Sequence, residues 1–136
     1  MNDEEAKLLA QTLYDNAVTL VANQHLPLNL KQGIQFTILG GEAPVLQKAL
    51  TPFITSNGPH VVCVMKWDDS TKQQVRDLKP DVLMVMTSPY GLIDLPQPPT
   101  LLIGYENNPM AQESVRKVLV GEMQATGQLP VKISMK

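Results

Sequence analysis

The chain has 136 residues, 43% of them apolar and 18% charged, with a formal net charge of -2. That length suits one domain that buries about two-thirds of its unfolded surface, and the composition excludes a disordered chain. With no Lys/Arg cluster, nucleic acid is not an expected partner, and no apolar run is long enough for a membrane span. Met1-Asn2-Asp3-Glu4-Glu5 is acidic and has no apolar core, so it does not read as a signal peptide. Cys63 stands alone inside an apolar run, which excludes an intrachain disulfide and makes it a small core residue.

In chain order, Asp3 is expected to cap a first helix, with Glu4 and Glu5 at its positive end. Ala6, Ala10, Leu13 and Ala17 share one face of it. Val18 to Val21 is β-branched and apolar and reads as a short strand, followed by a loop through Leu26-Pro27-Leu28. Ile34 to Leu39 is a buried strand ended by Gly40-Gly41, and Pro44 opens a helix that runs to about Phe53. Val61 to Met65 is another apolar strand. Asp69 or Ser70 is expected to cap the next helix, which stops before Pro80. Val82 to Met86 and Leu101 to Ile103 are the last core strands. Asn108 and Pro109 start the final helix, through Val115, Val118 and Leu119 to Gly121, where a left-handed residue ends it. Gly127 is expected to permit a turn, and Leu129-Pro130-Val131 opens a final extended segment.

Short strands without alternation, separated by helices, predict an α/β fold. The expected architecture is a three-layer sandwich: a mostly parallel sheet of about five strands, with right-handed crossovers and helices on both faces. Ser88 to Pro99 is proline-rich and too short for a full crossover helix.

Three segments carry a resemblance. Ala17 to Asn23 with Leu26-Pro27-Leu28, Ile34 to Gly41, and Ile103 to Pro109 running on to Gly121 and Thr126 to Val131 together resemble the C-terminal α/β sandwich domain of family-3 glycoside hydrolases. The match is to the β-N-acetylhexosaminidase-like members, and Ala125 stands where that family often has proline. The resemblance implies a single accessory domain over residues 4–134 whose partner is a catalytic (β/α)8 barrel, with carbohydrate at the shared rim. It also implies that the nucleophilic Asp and the general acid/base belong to the barrel. No catalytic residue, cofactor or metal ligand is therefore expected in this chain. The alternative is a stand-alone α/β binding or protein-interaction module without hydrolase activity.

In open parallel sheets ligands bind beyond the carboxyl ends of the strands. That edge brings Gly40, Gly41, Glu42, Lys66, Trp67, Asp68, Asp69, Ser88, Pro89, Tyr90, Tyr105, Glu106 and Asn107 into range. Trp67, Tyr90 and Tyr105, three of the six aromatics, suit stacking on a sugar or anchoring a protein surface; with Asn107 they are the expected binding residues. Glycoside hydrolysis needs two carboxyl groups about 5 to 10 Å apart. Glu42, Asp68, Asp69 and Glu106 read instead as caps or solvated surface. Gly40-Gly41 lacks the rest of a phosphate loop, and Glu42 would repel an anion there. A phosphoacceptor receiver domain would need an acidic pair where those glycines stand. His25 and His60 have no neighbouring ligands to form a metal site with.

Overall fold

The computed structural model describes residues 2–130 and 132–136. Helix α1 spans Asp3–Ala17, α2 Pro44–Leu50, α3 Asp69–Leu78 and α4 Pro109–Val120; the strands are β1 Thr19–Ala22, β2 Gln35–Leu39, β3 His60–Val64, β4 Val82–Val85 and β5 Thr100–Ile103. They form one sheet in the order β1-β5-β4-β3-β2. β2 to β5 are parallel, and β1 adds antiparallel to the β5 edge. This is the expected three-layer α/β sandwich with a mostly parallel sheet.

Continuous apolar strands are buried on both sides, and the pleat sends successive side chains to opposite layers. Val61, Cys63 and Met65, with Val82, Met84 and Met86, face a first layer of α2 and α4, onto which Tyr14 of α1 also packs. Val62, Val64, Leu83, Val85, Leu101 and Ile103 face a second layer of Val75 from α3 and Leu92 and Leu95 from the irregular link. That link holds a 3-10 turn at Pro89–Leu92 in place of a crossover helix. The C-terminal segment completes this layer: Leu129, Ile133 and Met135 pack against it. Its backbone pairs with the link, Asp94 N–H donating to the Ser134 carbonyl at 3.1 Å and Lys136 N–H to that of Leu95 at 3.0 Å. Val131 lies outside the described residues.

The crossover rule does not hold uniformly. The links from β2 to β3 to β4 to β5 all step across the sheet in one direction. Yet α2 lies on the first face, and α3 and the 3-10 turn on the second. Equal steps over opposite faces require opposite hands, so these links cannot all be right-handed.

Local chemistry sets the boundaries. α1 is capped by Asn2, not Asp3: the Asn2 side chain accepts from Glu5 N–H at 2.8 Å. α3 is capped by Asp68, not Asp69 or Ser70, through Thr71 N–H at 2.7 Å. Asn108 caps α4 as expected, accepting from Ala111 N–H at 2.9 Å. Gly121 ends α4 with φ 85° and ψ 13°, and Glu122 N–H returns to the Lys117 carbonyl at 2.8 Å. Gly127 has a different role from the one expected. Its N–H donates to the Val18 carbonyl at 2.9 Å, and a Cβ there would run into the Ala17 carbonyl. What the position needs is close approach of two backbones.

Helix α1 departs most from expectation. Of the four residues that share one face, Ala6 and Leu13 are exposed and Ala10 and Ala17 are half-buried, and no residue of the helix is buried.

Candidate functional site at the carboxyl edge of the sheet

Strands β2 to β5 end at one edge, and the loops that follow them carry the candidate residues. Trp67, just beyond β3, is half-buried, and its indole Nε1 donates to the Ser88 carbonyl at 2.9 Å. Its ring lies against Gly91, where a Cβ would collide with the indole. Tyr90, in the 3-10 turn after β4, is 55% exposed. Its N–H donates to the Ser88 hydroxyl at 3.3 Å. Ser88 thus bonds both the Trp67 indole and the Tyr90 backbone; the indole is pinned by packing on Gly91, and the Tyr90 side chain is exposed.

Tyr105 and Asn107 turn inward. Thr19 Oγ1 donates its one proton to the Ala17 carbonyl at 3.0 Å, so Tyr105 is the donor in its 2.7 Å contact with Thr19. Tyr105 has φ 68°, a left-handed conformation uncommon outside glycine. The bond to β1 helps to hold it there. Asn107 Nδ2 donates to the Met65 carbonyl at 3.3 Å, tying the end of β5 to the end of β3.

Gln112, on α4, escaped the reading of the sequence. It is 1% exposed. Its Nε2 donates to the Asn107 carbonyl at 3.0 Å, while its Oε1 accepts from Val45 N–H at 3.0 Å and Leu46 N–H at 3.3 Å. Ala43, the N-cap of α2, has no side-chain acceptor, so Gln112 satisfies that helix start from across the core. A polar residue three and seven positions before Val115 and Leu119, on their buried stripe, was the available signal.

Asp68 is engaged as a cap, and the hydrogen bonds of Thr71 hold its carboxyl below the usual Asp range, so it stays an anion and not a proton donor. Elsewhere, His60 Nε2 shares a 2.7 Å hydrogen bond with Thr37 Oγ1. Among the described residues no group of three or more His, Cys, Asp or Glu is placed to hold a metal ion. No helix is long and apolar enough to cross a membrane. Burial pushes the Cys63 thiol up to about 12, which keeps it protonated and unreactive. A cavity of about 280 Å³ lies at the opposite, amino end, between α3 and Pro96 to Pro99.

No protein-family model matches the sequence, and no curated protein matches it significantly. Solved structures do share the fold. One is of a fungal multi-domain GH3 β-N-acetylglucosaminidase reported to contain a GCN5-related glucosamine N-acetyltransferase region, with TM-score 0.76 and 20% identity, covering 96% of this chain and 19% of that one. Another is the β-glucoside phosphorylase BglX, with TM-score 0.72 and 19% identity over 97% of this chain and 32% of that one. A third is a glycoside hydrolase family 3 β-N-acetylglucosaminidase from Paenibacillus sp. str. FPU-7, with TM-score 0.70 and 16% identity over 97% of this chain and 33% of that one. At such identities the likeness is one of fold. The chain spans a fifth to a third of each of these proteins.

Proposed function

We propose that this chain is a non-catalytic accessory domain of a family-3 glycoside hydrolase, of the β-N-acetylhexosaminidase-like kind, that packs on a catalytic barrel and shapes the rim of its sugar site. The observation that carries this reading is the match of nearly the whole chain to a part of larger carbohydrate-active chains, two of them β-N-acetylglucosaminidases. An acetyltransferase region is named for only one of the three, so it is not what they share. The three sequence segments that resemble the family's closing domain point the same way, as does an edge whose Asp68 is committed to capping.

In this reading Trp67 and Tyr90 supply an aromatic surface toward sugar or barrel, with Trp67 held rigid by Ser88 and Gly91. Tyr105 and Asn107 shape the adjoining loop, presenting its backbone through their bonds to Thr19 and Met65. The purified chain is expected to leave a chromogenic N-acetylglucosaminide intact, and measurable turnover by it would defeat the proposal. The complete polypeptide should contain an upstream barrel with the subgroup's Lys-His-Phe-Pro-Gly-His motif. There, Trp67→Ala and Tyr90→Ala are expected to raise KM more than they lower kcat.

A further inference from the structure

Helix α1 is attached the wrong way round for a surface helix. Its inner face is polar. Gln11 Nε2 donates to the Met110 carbonyl at 3.0 Å and to Ser114 Oγ at 2.9 Å, and Asp15 pairs with Lys117 at 2.8 Å. Asp15 also accepts from Ser114 Oγ at 2.6 Å, and Tyr14 OH accepts from Asn108 Nδ2 at 2.7 Å. Tyr14 packs on the core, but the three leucines face water: Leu8 is 70% exposed, Leu9 49% and Leu13 63%. A solvent-facing helix normally shows the reverse arrangement, and burying a leucine gains roughly 1.5–3 kcal/mol.

We infer that α1 is the docking helix of this domain, and that Leu8, Leu9 and Leu13 pack against the catalytic domain of the same polypeptide. This rests on the accessory-domain reading above. Two observations choose this occupant over a second copy of the chain. Three leucines offer on the order of a few hundred Å², whereas a stable association of free partners buries roughly 1,200–2,000 Å². A patch this small suffices when the partner is tethered at about millimolar effective concentration, and the fold's solved neighbours carry it as 19–33% of longer chains. The second observation is charge. The first turn holds Asp3, Glu4 and Glu5, none ion-paired among the described residues, and the last turn holds no base. Antiparallel pairing of two copies would set those acids against the negative end of the other helix, and parallel pairing would set acid against acid. The occupant is therefore an apolar surface rimmed by Lys or Arg.

Hydrogen exchange on the complete polypeptide and on residues 1–136 alone tests this. The α1 amides should exchange at least tenfold more slowly in the complete polypeptide, and L9K/L13K should abolish that difference while leaving the Tm of the isolated chain unchanged. Protection of another surface, with α1 unaffected, would overturn the inference and leave the accessory-domain reading standing. No protected surface anywhere, or a polypeptide without a catalytic domain, would defeat the reading and the inference together. Sedimentation of the isolated chain should show a monomer, and a dimer dissolved by L9K/L13K would assign the face to a second copy instead.

Discussion

Helices α1 and α4 lie side by side in the same layer and are held by opposite kinds of force. α4 buries Ala111, Val115, Val118 and Leu119 against the sheet, along with Gln112 and Ser114. α1 buries nothing, and only Tyr14 contributes apolar contact to the core. One helix is part of the hydrophobic nucleus, and the other is moored to it by hydrogen bonds and one ion pair. Apolar burial is strong and non-directional, whereas a half-exposed polar mooring contributes only a little per bond. A helix that is cheaply moored and apolar outward is therefore ordered locally without being finished as a surface.

The sharpest way to test this contrast is to truncate the core side of α4. Leu119 is fully buried, and Leu119→Ala should destabilise the domain by about 2–5 kcal/mol in urea unfolding. A smaller effect follows where the α1–β1 junction meets the C-terminal segment. Gly127→Ala drives a methyl into the Ala17 carbonyl, and a backbone shift there should cost about 1–3 kcal/mol, read as a lowered Tm.

The layers were more legible in the sequence than the attachments. Four apolar runs without alternation placed the parallel strands within a residue or two, because burial on both faces leaves no polar phase to misread. The caps of α1 and α3 were misplaced by one or two positions because neighbouring Asn, Asp and Ser residues compete, and only backbone geometry selects among Asp68, Asp69 and Ser70. The strand order and the mixed hand of the links were not readable, since nothing local records which face a crossover takes. At the candidate site, Trp67 and Tyr90 were legible as strand-end aromatics. The inward bonds of Tyr105 and Asn107 were not, because their partners lie 86 and 42 residues away in sequence. The side of α1 that meets the domain was hidden for a related reason. Helical spacing shows that Ala6, Ala10, Leu13 and Ala17 share a side, but not whether that side meets the domain. Gln11 and Asp15, the true contacts, look like solvated residues in the sequence.

The mooring itself gives the remaining predictions. Asp15→Asn removes the ion pair to Lys117 and should cost about 1 kcal/mol, with faster amide exchange confined to α1. Burial alone would raise the Asp15 carboxyl, but hydrogen bonds from Lys117, Ser114 and Gln11 outweigh it and hold the group below the ordinary Asp value. A depressed folded-state value stabilises fully above the unfolded-chain range, about pH 4, and is lost as pH falls through the folded value. Loosening of α1 should thus begin below about pH 4 in the wild-type chain, and Asp15→Asn should show a flatter acid limb. Smallest of all is the effect of the outer leucines on the isolated chain. Leu9→Ala and Leu13→Ala remove side chains that touch water, and alanine is the better helix former. Each should change stability by no more than about 0.5 kcal/mol. A loss near that of Leu119→Ala would mean that these leucines already pack within the isolated domain, and the division between a core helix and a moored helix would fall.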